Sequence, residues 1–146
     1  MKMLKKAASV ALAAALVVSM AACGSDNGGS GSRDADKFYI GGIGPTTGDN
    51  AIYGTAVKNG IQLAVDEINE AGGINGYQIE YSFEDDQSDA EKSVNAYNTL
   101  KDWGMQMLVG TVTSTPCVAV VEETHADNMF QFTPSATCLL YTSPSP

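Results

Sequence analysis

Apolar and polar positions follow two rhythms along this chain, and they change over in a regular order. Lys37–Gly44 (KFYIGGIG) is a short apolar run that ends in a loop of turn residues, Pro45-Thr46-Thr47-Gly48-Asp49-Asn50. Beyond it Val57, Ile61, Ala64, Val65 and Ile68 recur at helical spacing until Gly72-Gly73 stops the run. Asn75-Gly76 makes a turn, and Tyr77, Ile79, Tyr81 and Phe83 then alternate with Gln78, Glu80, Ser82 and Glu84, which is the period of a strand. Ser88 with Glu91 three residues later reads as a capping box opening a helix through Ala90, Val94, Tyr97 and Leu100, ended at Gly104. Met105–Val109 is a short apolar strand and Gly110–Thr115 a loop. Pro116 suits the first turn of a third helix running to about Asn128, and Met129–Phe132 is a fourth strand. The predicted strands thus lie near 38–43, 77–84, 105–109 and 129–132.

Strand and helix alternate throughout, so the expected fold class is α/β, a parallel sheet with helices on both faces and right-handed crossovers. Ligands in such sheets bind beyond the carboxyl ends of the strands. Those ends are here Pro45–Tyr53, Asp85–Ser88, Gly110–Thr115 and Thr133–Thr137, rich in Ser and Thr hydroxyls and without Lys or Arg. Asp85 and Asp86 read as a solvated acidic loop.

Ahead of this body the pattern is different. Lys2, Lys5 and Lys6 precede Ala7–Ala22, 16 residues without a charge, and small residues lead into Cys23. A positive head, a short apolar run and a small-residue exit form a secretory signal. The run is short for a bilayer span, which takes about 20 helical residues. The Cys at the exit resembles the lipobox of bacterial lipoproteins, with Met20 where Leu is usual. That resemblance implies that Cys23 becomes a lipidated amino terminus, on the outer side of the cell membrane. Gly24–Asp36 (GSDNGGSGSRDAD) has no large apolar residue and is expected to be a flexible tether. The chain therefore divides into a signal over 1–22, an anchor and tether over 23–36, and a folded body from Lys37.

Charge narrows the partners. The chain carries −9, with three of its eight Lys and Arg inside the signal and all 17 acids after Cys23, so the remainder stands at −12. An acidic body argues against nucleic acid. The lone His125 has no Cys or His at ligand spacing, so neither a metal nor another cofactor is expected. Cys117 reads as a small buried hydrophobe.

Four segments occur in order and in register: Gly44-Pro45-Thr46-Thr47-Gly48 with Tyr53-Gly54, Ala71–Gly76 (AGGING), Gly110–Thr115, and Thr133-Pro134-Ser135-Ala136-Thr137. Together they resemble the amino-terminal lobe of the leucine/isoleucine/valine-binding proteins, the type I periplasmic binding proteins of ABC importers, over nearly all of 37–137. The resemblance implies a non-enzymatic, monomeric protein that grips an amino acid between two lobes and delivers it to a membrane permease. It implies a ligand site of Tyr53, Thr113, Ser114, Ser135, Ala136 and Thr137. Ser114 matches the hydroxyl that holds the ligand carboxylate, and the loop opens a helix whose free N–H groups favour an anion. Ser135 matches the position whose carbonyl takes the ammonium, and Thr137 the one that bonds both charged ends. Tyr53 matches an aromatic of the side-chain pocket, and Thr113 stands where some members have Cys. Read from residue type alone, Ser114 or Thr115 is equally a helix cap, Thr137 a loop hydroxyl facing water, and Tyr53 a ring packed on its own helix.

Cys138–Pro146 (CLLYTSPSP) departs from that pattern and resembles a translated sequencing adapter, so it is expected to be a non-native read-through tail. Members of the family have a second lobe, so this stretch alone is not expected to bind. A flavodoxin-like or receiver-like signalling or enzyme domain is the alternative, suggested by Thr46-Thr47-Gly48 and by Glu84-Asp85-Asp86. Against it, no basic residue approaches the first loop and the third strand ends at Val109-Gly110 without an acid.

Overall fold

The computed structural model describes residues 34–137. The signal, Cys23, nearly all of the tether and the tail at 138–146 lie outside the described residues. Four strands and three helices alternate: β1 (Lys37–Gly44), α1 (Ala51–Glu70), β2 (Gln78–Asp85), α2 (Ala90–Trp103), β3 (Met107–Gly110), α3 (Ser114–Ala126) and β4 (Phe130–Phe132). The sheet order is β2-β1-β3-β4 and every pairing is parallel, with Lys37 beside Gln78, Ile40 beside Met107 and Met107 beside Phe130.

Strand parity explains the layers. Ile43 and Leu108 turn to one face and join Ala96, Tyr97 and Leu100 of α2, Val120 of α3 and Met105 in the buried core. Ile40 and Val109, of the opposite parity in their own strands, turn to the other face and meet α1. So α1 covers one face, and α2 and α3 pack side by side on the other. Tyr97 and Lys101 of α2 both donate to Asp127 at the end of α3, which ties the two helices together. On α1, Asn69 bonds both polar groups of Ile79, its amide donating to the carbonyl and its oxygen accepting from the N–H, and so fastens the helix to β2.

Element edges differ from expectation where local chemistry is specific. Gly104 adopts φ 104° and closes α2, with the Met105 N–H donating back to the Leu100 carbonyl. Met105 is therefore a buried plug at 2 % exposure rather than the start of β3. The capping box at Ser88 and Glu91 is not what forms: Ser88 lies at φ 61°, and Asp89 caps α2 by accepting from the Lys92 N–H at 2.9 Å. At the front of the body, Asp34 and Asp36, assigned to the tether by composition, are bonded to the fold. Asp34 N–H donates to the Tyr39 hydroxyl, and the Asp36 carbonyl accepts from Gln78.

Candidate functional site

The direction of winding reverses between two adjacent strands. From β1 the chain turns outward through α1 to β2, and from β3 it turns the other way through α3 to β4. Connections that leave neighbouring strands in opposite directions open a crevice at their carboxyl ends. At that place lies an open cleft of about 250 Å³ lined by Asn50, Tyr53, Val112, Thr113, Ser114 and Ser135. Two other hollows, of about 290 and 430 Å³, are lined almost wholly by apolar side chains and offer no convergent polar groups to orient a charged ligand.

The sequence-derived site residues assemble here with different tasks. Thr113 is the residue before α3, in extended backbone, and its side chain does not cap the helix. Its Oγ1 is buried without a hydrogen-bond partner among the described residues and borders the cleft. Ser114 does not cap either: its Oγ accepts from the Thr137 N–H at 3.1 Å and joins the two loops. The first N–H with an acceptor at this helix end is that of Cys117, which donates to the Thr113 carbonyl, and Pro116 has none to offer. The Ser114 and Thr115 amides thus form an open, partially positive helix start. Ser135 spends its hydroxyl on the Val112 carbonyl at 2.6 Å. Tyr53 is 61 % exposed and lines the cleft. Thr137 touches the site through its amide, whereas Ala136 donates its N–H to the Thr133 hydroxyl and does not line the cleft. Asn50 and Val112 are lining residues that sequence reasoning missed; an Asn in a turn and a Val in a loop carry no signal of their own.

Asp85 and Asp86 are not a solvated acidic loop. Asp85 Oδ1 accepts from the Thr46 N–H at 2.8 Å and the Gln87 N–H at 3.0 Å, and Oδ2 accepts from the Thr47 hydroxyl at 2.5 Å. Burial acts to raise its pKa, but these bonds to the ionised form outweigh it and hold the carboxyl below its usual range. Asp86 is wholly buried, accepting from the Ser88 N–H and the Ser93 hydroxyl, and burial pushes its pKa up. Together with a bond from Asn50 to the Ser88 hydroxyl at 3.0 Å, the pair fixes the loop after β1 and so the wall that carries Asn50 and Tyr53. Thr46 and Thr47 lie about 40 residues from Asp85 in sequence, which is why acidity alone misled.

No basic side chain lines the cleft, and among the described residues no group of three His, Cys, Asp or Glu side chains could hold a metal ion. The arrangement can take an anionic group at the open start of α3, with the unpartnered Thr113 hydroxyl beside it.

Comparison with known proteins agrees with this geometry. A family model described as periplasmic binding protein matches residues 37–145. The chain is 41 % identical over 98 residues to the Leu/Ile/Val-binding protein BraC3 of Rhizobium johnstonii, covering 67 % of this chain and 27 % of that protein. It is 35 % identical over 112 residues to the leucine-, isoleucine-, valine-, threonine- and alanine-binding protein of Pseudomonas aeruginosa, covering 77 % of this chain and 30 % of that one. Among solved structures, the branched-chain amino acid transporter substrate-binding protein LivJ of Streptococcus pneumoniae, in complex with isoleucine, superposes with a TM-score of 0.67 at 36 % identity, over 70 % of this chain and 30 % of that one. The chain thus spans less than a third of the length of these relatives. They are binding proteins rather than enzymes, which displaces the flavodoxin-like and receiver-like alternative. With its parallel sheet, its switch-point cleft and these matches, the chain belongs to the periplasmic binding protein family.

Proposed function

We propose that this chain is the amino-terminal lobe of an extracytoplasmic substrate-binding lipoprotein that takes up branched-chain or related amino acids and hands them to an ABC permease. One observation carries the reading: the open start of α3, bordered by Ser114 and the unpartnered Thr113 hydroxyl, faces the cleft wall that bears Tyr53. An α-carboxylate suits that helix start, the Ser135 carbonyl and Thr137 suit an α-ammonium, and the Tyr53 ring suits an apolar side chain. The relatives' names, which specify leucine, isoleucine and valine, point to the same ligand class.

In this reading the lobe alone does not hold the ligand. Its polar groups compete with water in an open half-cleft, where an exchanged hydrogen bond nets about 1 kcal/mol, while lost ligand freedom costs roughly 4 kcal/mol or more. The complete protein closes a second lobe over the ligand, works as a monomer and binds. Titrating leucine, isoleucine and valine into the 146-residue chain and into the longer protein that carries it, followed by ligand-observed NMR and calorimetry, tests this. The expected result is saturable binding by the longer protein only, the chain staying weaker than about millimolar. Micromolar binding by the chain alone overturns the two-lobe requirement, and silence from both overturns the amino-acid reading.

The anchor is part of the same proposal. Cys23 carries the lipid and Gly24 onward forms the tether that keeps the lobe beside its permease. In a bacterial host, radiolabelled palmitate is expected to enter the wild-type chain and not Cys23→Ala. Label that survives the substitution removes Cys23 from the role.

A further inference from the structure

From β4 onward, side chains attach the chain to the end of β3 and to the segment that follows it. Gln131 Nε2 donates to the Gly110 carbonyl at 2.8 Å, Thr133 Oγ1 to the Thr111 carbonyl at 2.7 Å, and Ser135 Oγ to the Val112 carbonyl at 2.6 Å. Alternate residues of one segment thus serve consecutive carbonyls of the other. The next step of the series is the Thr137 N–H on Ser114 Oγ. Two members are themselves held: Gln131 Oε1 accepts from the Thr124 hydroxyl at 2.9 Å, and Thr133 Oγ1 accepts from the Ala136 N–H at 3.1 Å.

This pattern cannot be backbone pairing. In a strand successive carbonyls point to opposite sides. Here the Thr111 and Val112 carbonyls both turn toward the β4 side, and side-chain hydroxyls take the place of a neighbouring strand's N–H groups. Each peptide plane is planar and, at Thr111–Val112 and Val112–Thr113, trans, so its N–H points away from its carbonyl. The Val112 and Thr113 N–H groups therefore turn to the β1 side, where the cleft lies, and neither has an acceptor among the described residues.

We propose that Gln131, Thr133 and Ser135 form a side-chain ladder that positions the binding loop, holding its carbonyls back so that the Gly110–Ser114 segment presents N–H groups and hydroxyls to the ligand. The ladder itself stands on these bonds alone; its effect on affinity rests on the amino-acid reading above. Thr133 is the rung to test, because its hydroxyl makes two bonds and it does not line the cleft.

Thr133→Val keeps the shape and removes the donor, whereas Thr133→Ser keeps the donor and removes a methyl. In the ligand-free 146-residue chain, the amide NMR signals of Val112–Cys117 and Thr137 are expected to move in the Val variant and to match the wild type in the Ser variant. In the longer protein, leucine affinity is expected to fall about tenfold with Val and to be retained with Ser. Unmoved loop signals in both variants overturn the ladder. A lowered Tm with unchanged loop signals and unchanged affinity also overturns it, because the hydroxyl would then serve stability only. Loop signals that respond in a protein that binds no amino acid support the ladder while removing the amino-acid reading.

Discussion

Gly54→Ala is expected to lower the thermal midpoint by more than 10 °C or to abolish cooperative unfolding. Gly54 is buried in the first turn of α1, where the helix presses on the loop that leaves β1. A Cβ at this position meets the Pro45 carbonyl oxygen at 1.8 Å and the Pro45 carbonyl carbon at 2.5 Å. Both are backbone atoms of a buried residue, so neither swings aside as a flexible side chain would. Relief requires moving α1 away from the sheet or displacing the loop that Asp85 holds. Overpacking a core by a methylene costs about 1–3 kcal/mol, and a collision with backbone lies at or above the upper end. In a domain near 100 residues each kcal/mol moves the midpoint by roughly 4–8 °C. Gly60, on the same helix, is the control. A Cβ there meets nothing within 4 Å, so Gly60→Ala is expected to stabilise by about 0.5–1 kcal/mol through helix propensity alone. Circular dichroism melts of both variants decide. Equal midpoints for the two substitutions would show that α1 does not seat against Pro45.

Ser114→Ala and Thr137→Ala are each expected to weaken amino-acid binding by the longer protein about 10- to 100-fold. A hydrogen bond to a charged group is worth roughly 1.5–3 kcal/mol, which converts to that range. The two positions are not independent, because Ser114 Oγ accepts from the Thr137 N–H at 3.1 Å. In the proposed site Ser114→Ala would remove a ligand contact, and it releases this joint between the loops, whereas Thr137→Ala leaves the backbone amide in place. The double variant is accordingly expected to lose less than the product of the two single losses. Titration calorimetry on the four proteins measures the cycle. Unchanged affinity in both single variants, with melting curves intact, would take these residues out of the site.

What the chain discloses by itself depends on how far apart the interacting residues lie. The rhythm of Tyr77, Ile79, Tyr81 and Phe83 located β2 to within a residue, because a strand's side chains alternate whatever surrounds them. Gly104 marked the end of α2 for an equally local reason, its left-handed φ of 104°. The cap of α2 was misplaced by one residue, since Ser88 and Asp89 are both capping types and only backbone conformation separates them. Tyr53, Thr113, Ser114 and Ser135 were legible as a group through resemblance, and the cleft does bring those four together. Asp85 reads as solvated because Thr46 and Thr47 reach it from across the sheet end, and Asp86 because its near neighbours Ser88 and Ser93 are ordinary polar residues until the loop turns them onto it. The rungs at Gln131 and Thr133 left no trace in composition at all. Each is an ordinary polar residue until the carbonyls of Gly110 and Thr111 arrive beside it.

The sheet order also sets a timetable. β1 is the earliest strand among the described residues and sits inside the sheet, between β2 and β3. Its partners are distant, Gln78 for Lys37 and Met107 for Ile40, so neither edge of β1 can be satisfied until long stretches of chain have followed it. Closing such loops before any contact rewards the closure is what makes parallel sheets slow to form. A chain that emerges amino terminus first therefore spends its youth with an unpaired central strand. The glycines of KFYIGGIG lower the tendency of that waiting strand to pair with a stranger. Maturation of this lobe is thus governed by the arrival of β3, the same strand whose far end opens onto the cleft at the switch point.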